Sequence, residues 1–392
     1  METRYFTIDQ LQEAGEFIRL GKLIAFPTET VYGLGGNAMD PLASQAIYAA
    51  KGRPSDNPLI VHISTLDQLS QIVSTIDPVS QLLAEAFWPG PLTLVLPKHP
   101  QVPQQTSGGL GTLGVRIPDD PIGLEFLKWA GVPVAAPSAN LSGRPSPTSF
   151  SMVKQDLDGR IHGIIQGTDT RIGLESTILW VADQRVHILR PGAIGPKEIH
   201  QVLTSHGMDR VEILNQWDLR SGNIQSPNQN PNLPAAPGTK YRHYSPKATI
   251  KVYHPGSDWF TFLEPDHAMP HQVYGLVYLL GPHANSEAEL SKMMNTLALD
   301  YGMSVDLITP RLVVSGTDGS SVSHGLKPKI YVLPIRSIDQ YAQEFYRSLV
   351  DFDQVGVQTI FLPFPDKSEG GLADALIDRI LRAAGLTSVP KN

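Results

Sequence analysis

The sequence predicts a two-domain α/β protein, and three observations carry that expectation. Short apolar runs of strand length alternate with amphipathic helical stretches through both halves of the chain. The 392 residues exceed what one ordinary core organises. Residues 221–239, SGNIQSPNQNPNLPAAPGT, hold no charged side chain and almost no large apolar one, so they cannot support a core and read as a linker. The expected division is residues 1–210, a connecting segment 211–246, and residues 247–392.

In the first unit, residues 8–20 read as an amphipathic helix, with Leu11, Phe17, Ile18 and Leu20 on one side and Asp9 as its N-cap. Leu23–Phe26 has the length and flanks of a buried strand. It runs into Pro27-Thr28-Glu29-Thr30 and then Gly33, Gly35 and Gly36, glycines that suit a backbone passing close to something else. A helix over 41–50 delivers Lys51-Gly52-Arg53, and Leu59–Ile63 is the next strand, with His62 inside it. Residues 66–88 read as helical with a break at Pro78, and Trp88-Pro89-Gly90-Pro91 as a rigid turn into the strand Leu92–Leu96. After a loop over 99–112, Gly114–Pro118 returns as a strand carrying Arg116, and 122–130 is helical. Val132–Ala136 is a short strand that stops at a Ser/Asn/Gly/Arg loop, as strand-end ligand sites do. Residues 164–181 are strand-like around Gly173-Leu174-Glu175-Ser176-Thr177. Val186–Leu189 leads to Arg190-Pro191-Gly192, and a helix over 196–205 closes the unit.

Directly after the linker stands Lys240-Tyr241-Arg242-His243-Tyr244-Ser245-Pro246, dense in aromatic and cationic groups that a bare spacer does not require. Beyond it, strands are expected at Thr249–Tyr253, Val273–Leu280, Arg311–Val314, Ile330–Leu333 and Thr359–Leu362, with helices at 286–301, 337–351 and 371–384. That alternation predicts a small parallel α/β unit.

At 41% hydrophobic and 18% charged, the chain has an ordinary globular composition. A net charge of −7 argues against an avid, non-specific nucleic-acid coat. The absence of cysteine removes disulfides, thiol catalysis and cysteine-ligated zinc together. The start of the chain lacks the basic-then-apolar order of a signal peptide, and no apolar run approaches the roughly 20 residues of a membrane helix. The expected location is cytoplasmic.

The motifs are of unequal weight. GLGTLG (109–114) matches G-x-G-x-x-G, but a loop precedes it and a strand follows, the reverse of a dinucleotide site. No Walker A loop, Ser–His–Asp order, H-E-x-x-H or metal-type carboxylate cluster occurs. Lys51 and Arg53 on a loop read first as solvated cations. Arg116, Arg144 and Arg190, also at strand ends or glycine turns, shift the reading towards a triphosphate. Ser138 and Asn140 fit a phosphate contact or a simple turn, and His62 in an apolar strand fits a satisfied core histidine. Thr28, Thr30 and Ser176-Thr177 offer neutral donors for an amino acid, and Glu29 and Glu175 are the acids inside these loops.

Taken together, FPTETVYGLG (26–35), KGRPSDNPLIVHI (51–63), GVRIP (114–118), APSANLSGRPSPT (136–148), ESTI (175–178) and LRPGAI (189–194) resemble the YrdC-like family. PAAPGTKYRHYSP (234–246) and the unit after it resemble that family's two-domain threonylcarbamoyl-AMP synthase branch. The resemblance implies a twisted mixed-sheet α/β domain with a concave site, followed by a smaller Rossmann-like parallel α/β domain. It implies a nucleotidyltransferase that converts L-threonine, bicarbonate and ATP, with Mg2+, into threonylcarbamoyl-AMP and pyrophosphate. The product feeds threonylcarbamoyladenosine formation in tRNA, so the implied partners are downstream threonylcarbamoyl-transfer enzymes and tRNA itself.

By the same resemblance, Lys51, Arg53, Ser138 and Asn140 are the catalytic candidates. Thr30, His62, Arg116, Ala136 and Ser176 would hold threonine or its carbamate. Arg53, Asn57, Thr112, Ser138, Ser146, Arg190 and Tyr244 would hold ATP, with Lys51 helping to balance the phosphates. Tyr241, Arg242 and His243 would belong to a lid. No protein metal ligand is implied, magnesium being carried by phosphate oxygens and water. The hydrogenase-maturation carbamoyltransferases contain a related module but also cysteine zinc fingers, which this chain lacks. A rival reading is a double-stranded RNA-binding module without turnover, and a third is a nucleotide sensor.

Overall fold

A computed structural model describes residues 1–215, 246–255, 272–280, 286–299, 303–307, 329–366 and 370–386. The chain divides into two compact units, Met1–His243 with Gly370–Ala375, and Tyr244–Glu369 with Leu376–Asn392. The fold is α/β throughout, a large mixed sheet in the first unit and a parallel sheet in the second.

The first unit's strands are β1 (Arg4–Phe6), β2 (Ile24–Phe26), β3 (Gly33–Asn37), β4 (Ile60–His62), β5 (Leu92–Pro97), β6 (Thr112–Arg116), β7 (Val134–Ala135), β8 (Gly163–Ile165), β9 (Thr177–Ala182), β10 (Arg185–Arg190) and β11 (Glu212–Asn215). They form one sheet in the order β1-β8-β2-β3-β7-β4-β6-β5-β9-β10-β11. The helices are α1 (Leu11–Arg19), α2 (Pro41–Lys51), α3 (Leu69–Ile72), α4 (Pro78–Phe87), α5 (Gln104–Ser107), α6 (Pro121–Ala130), α7 (Phe150–Leu157) and α8 (Pro196–Ser205).

Local chemistry sets the helix ends. Asp40, Asp77 and Asp120 each accept a backbone N–H at the start of α2, α4 and α6, and a proline follows each of them at the first helical position. α2 stops at Gly52, whose φ of 61° is the left-handed cap that a glycine adopts without strain. α6 begins against the chain entering the Thr28–Thr30 loop. A Cβ on Gly123 would lie 2.2 Å from the Pro27 carbonyl oxygen, so only glycine fits there.

Several expectations are corrected. The glycines at 33, 35 and 36 form strand β3 rather than an open loop. A Cβ on Gly35 would come within 2.9 Å of Val134 and 3.1 Å of Phe26, and one on Gly36 within 3.1 Å of Ile47 and Leu23, so each is small because a neighbouring side chain lies close. The helical stretch 66–88 is a short 3-10 turn, α3 and α4, with Val73 and the residues after it breaking out before Pro78. Residues 164–181 are two strands, β8 and β9, separated by the loop 166–176, and the 99–112 loop contains α5. β1, α7 and β11 were not foreseen. The expected strand Arg311–Val314 and the lid residues Tyr241, Arg242, His243 and Tyr244 lie outside the described residues.

The second unit has five strands, β12 (Thr249–Tyr253), β13 (Val273–Leu279), β14 (Ser304–Leu307), β15 (Lys329–Ile335) and β16 (Thr359–Pro363), all parallel in the order β12-β16-β13-β15-β14. β14 was not foreseen. Helices α9 (Ser286–Leu299), α10 (Ile338–Gln354) and α11 (Gly371–Ala384) connect or follow them. α10 buries Tyr341, Phe345, Tyr346, Leu349 and Phe352. The ring of Phe352 would lie 2.8 Å from a Cβ at position 275, so Gly275 lets helix and sheet close up. On α11, Asp378 is fully buried and accepts from Arg379 and Arg382, both at 2.8 Å. Among the described residues no helix is long and apolar enough to cross a membrane.

Burial pushes the Asp351 carboxyl on α10 up to about 6, against a partial pull downward from Arg347. Its folded value lies above the unfolded one, so the fold binds the proton more tightly, and stability falls as pH rises from 3.8 to about 6. Asp351→Asn is therefore expected to raise stability by about 1–2 kcal/mol at pH 8 and to have no effect below pH 4. Urea titrations at the two pH values check this.

Candidate functional site

Side chains alternate across a strand, so the register of the central strands decides which residues share a face. His62 pairs with Arg116 and with Val134, Ile60 with Gly114, and Val95 with Gly114. Thr93 pairs with Ile178 on the same face. The opposite face carries Val61, Ala135, Val115, Leu94, Leu113, Leu96 and Leu179, all within the main apolar core. Strand alternation thus puts an imidazole, a guanidinium and a hydroxyl on one side and seals the other. Arg190 joins the polar side through an irregularity. Ile188 pairs with Leu179 on the core face, but a register shift places Arg190 opposite Ile178. Such a bulge re-aims a side chain that simple alternation would bury in the core.

Arg116 is buried and forks between two residues of the loop after β2. Its Nη1 donates to Thr30 Oγ1 at 2.9 Å, and its Nη2 donates to Glu29 Oε2 in a buried ion pair. Thr28 Oγ1 lies 2.9 Å from Thr30 Oγ1 and takes the backbone N–H of Thr30 and Val31, fixing the turn. The loop is tied in turn to the next one, with Ile172 N donating to Glu29 O and Gly173 N to Thr30 O. His62 packs edge-on against Phe26, ring centres 5.7 Å apart. Burial, reinforced by the Arg116 charge, pushes its imidazole down to about 3, so it is neutral near pH 7. Ala136 is buried on the same stretch, its N–H bonded to Ile60 O. Glu29 Oε1, Arg116 Nε and His62 Nδ1 are each buried with no protein partner.

Ser176, just ahead of β9, lies 2.7 Å from Thr93 Oγ1, and Arg190 grips it, Nε and Nη2 donating to its carbonyl at 3.1 and 2.9 Å. Ser146 donates to Glu175 Oε1 at 2.7 Å, joining the 136–148 loop to the same segment. The contacts thus form two groups, Thr30, His62 and Arg116 in one and Ser146, Ser176 and Arg190 in the other, with Thr93 of the second on the same sheet face as His62 and Arg116. Thr112 begins β6, which ends at Arg116, and is half-buried.

Lys51 and Arg53 diverge at the Gly52 turn. Arg53 donates to the carbonyls of Asn57 (3.3 Å) and Pro58 (3.1 Å), bracing the buried Asn57. The Lys51 ammonium is buried and donates to the Ser138 and Asn140 carbonyls. Two of its N–H donors thus face the loop backbone, and Asn140 Oδ1 lies 3.5 Å from the same nitrogen. Burial first, and then the Arg53 charge, hold its pKa well below the ordinary lysine range, while Asp156 opposes them. Ser138 donates to Asn140 Oδ1 at 2.6 Å, and Asn140 Nδ2 donates to the carbonyls of Leu141 and Arg144.

Two polar groups here escaped the sequence reading. Asp156, near the end of α7, accepts Leu141 N at 3.0 Å and pairs with Arg144 at 2.6 Å, clamping the 138–144 loop. Ser149 capping the helix, with an N–H accepted from Met152, was the signal that would have found it. Thr93 stood out as the single hydroxyl in an otherwise apolar strand. Among the described residues no group of three His, Asp or Glu is arranged to hold a metal ion.

Lys51→Met removes the donor for two loop carbonyls and is expected to cost about 1–3 kcal/mol of stability. The drop in urea midpoint checks this, and an unchanged midpoint would show that the loop does not depend on the lysine.

The chain is similar to known proteins over both units. The family model Sua5_yciO_yrdC, described as telomere recombination, matches residues 16–192, and that of the threonylcarbamoyl-AMP synthase C-terminal domain, Sua5_C, matches residues 194–385. The threonylcarbamoyl-AMP synthase of Pyrococcus abyssi is 46% identical over 243 residues, 62% of this chain and 67% of the relative. That of Bacillus subtilis is 43% identical over 244 residues, 62% of this chain and 66% of the relative. These alignments span about two thirds of each relative's length. The crystal structure of P. abyssi Sua5 complexed with L-threonine superposes with a TM-score of 0.71 at 34% identity, covering 98% of both chains. The chain belongs to the Sua5/YciO/YrdC family, in its two-domain form with a Sua5 C-terminal domain.

Proposed function

We propose that this chain is a threonylcarbamoyl-AMP synthase, a nucleotidyltransferase that consumes L-threonine, bicarbonate and ATP. The observation that carries the reading is the buried Arg116 fork with Thr30 and Glu29, on the sheet face that also bears Arg190. A guanidinium set among hydroxyls suits an amino-acid carboxylate, and a second guanidinium on the same face suits phosphate. The likeness to Sua5 with L-threonine bound supports threonine as the amino acid.

In this reading the threonine amine attacks the carbon of bicarbonate, and water leaves as the carbamate forms. A carbamate oxygen then attacks the α-phosphorus of ATP in line, and the bond to the β-phosphate breaks, releasing pyrophosphate. Charge moves towards pyrophosphate, so fixed cations and positioning serve the step better than a protein nucleophile. Thr30, His62, Arg116, Ala136 and Ser176 hold threonine or its carbamate. Arg53, Asn57, Thr112, Ser138, Ser146, Arg190 and Tyr244 hold ATP. Lys51 joins Arg53 in balancing the phosphate charge, with Ser138 and Asn140 at the reacting phosphate. The neutral imidazole of His62 offers hydrogen bonding without a further charge beside Arg116.

Magnesium enters with ATP as its counter-ion. Glu29 is already paired and Glu175 already bonded, which suits a metal carried by phosphate oxygens. The product, a mixed carbamic–phosphoric anhydride, is consumed by threonylcarbamoyl transfer to tRNA through downstream enzymes. An RNA-binding module without turnover is not favoured, since the matched relatives are named as synthases.

The test is pyrophosphate release from ATP that requires both L-threonine and bicarbonate and proceeds without tRNA. Arg190→Ala is expected to lower kcat/KM for ATP about 100-fold. Salt-sensitive RNA binding with no pyrophosphate release would overturn the reading.

A further inference from the structure

We propose that Glu29 is the acceptor for the substrate's ammonium group, and so the residue that selects an α-amino acid over its deaminated counterpart. The proposal rests on the reading above that an amino acid occupies the Arg116 site.

A carboxylate at 1% exposure has surrendered its hydration, and such a group persists only where its charge is matched. Arg116 matches one oxygen, Oε2, and the other, Oε1, has no protein partner. An acceptor buried in this way costs stability, and in native structures it calls for a specific explanation. The neighbouring orphan supplies one. Arg116 spends Nη1 on Thr30 and Nη2 on Glu29, while its Nε has no partner. One unspent anionic acceptor beside one unspent cationic donor is the complement of a zwitterion, whose ammonium meets Glu29 and whose carboxylate meets Arg116.

The other groups around the pair do not offer the same match. Thr28 and Thr30 share their hydroxyl hydrogen bond and carry no charge, and the Ser176 hydroxyl lies against Thr93 and Arg190. His62 is neutral and beside a cation. Glu175 receives the Ser146 hydroxyl. Glu29 also keeps its role after the amine has reacted, because the carbamate N–H remains a donor to the same oxygen. The ammonium releases one proton to the medium before its nitrogen attacks bicarbonate, and only the charged part of the attraction to Glu29 is lost, so its contribution lies mainly in binding threonine.

Calorimetric binding of L-threonine and of 3-hydroxybutyrate, which lacks only the amine, tests this in wild type, Glu29→Gln and Glu29→Asp. Wild type is expected to prefer threonine by about 10-fold or more, the range for a hydrogen bond to a charged group. Glu29→Gln should collapse that preference to about twofold, raising KM for threonine more than it lowers kcat, while Glu29→Asp retains the preference at weaker affinity. If Glu29→Gln weakens both ligands equally and keeps their ratio, Glu29 merely holds Arg116 and the proposal is overturned. If Glu29→Gln does not fold, the wild-type ratio still decides, since equal affinity for the two ligands overturns the proposal without any variant. Because binding is read directly, failure of pyrophosphate release would count against the proposed function and not against Glu29.

Discussion

One face of the first unit's central strands is sealed by aliphatic side chains, and this confines the charge those strands carry to the other face. Val61, Val115, Leu94 and Leu179 fill the core side, and His62, Arg116 and Thr93 have only the opposite side available. The register is strongly specified as a result. A one-residue slip would drive a guanidinium and an imidazole into the core and turn valines outward. The site is therefore positioned by the same hydrophobic burial that stabilises the domain, and its arrangement comes with the fold.

In this unit the buried charges lie in pairs or against backbone oxygen. Glu29 and Arg116 neutralise each other, and Lys51 spends its ammonium on the carbonyls of Ser138 and Asn140. Buried ion pairs add little net stability, because desolvation offsets most of their attraction. What they contribute is geometry. Arg116 is held by two loop residues, Arg190 by Ser176, and the 138–144 loop by Lys51 from one side and Asp156 from the other. Side chains locked in this way meet a substrate with little further ordering to do.

The second unit follows a different rule. Its strands are all parallel, and Ile330, Val332, Ile335, Ile360, Phe361 and Leu362 are buried along near-continuous apolar runs. Its polar contacts include Asp378 with Arg379 and Arg382 within one helix and the Lys329–Asp306 pair between neighbouring strands.

By itself the sequence determined the two-domain α/β class, the helix over 371–384 and that over 196–205 to the residue, and the positions of most strands, because apolar periodicity and capping chemistry are local. It also marked Thr30, His62, Arg116, Ser138 and Arg190, since polar residues at strand ends and glycine turns stand out against apolar runs. Tertiary structure decided what those residues touch. Gly35 of β3 is small because Val134 and Phe26 cross it, which no local pattern records. Arg190 reaches the polar face only through the β10 bulge, and Lys51 turns to a loop 87 residues away while Arg53 turns to the Asn57 and Pro58 carbonyls. Pairing register and long-range burial are properties of distant residues brought together, so they were settled only when the chain had folded.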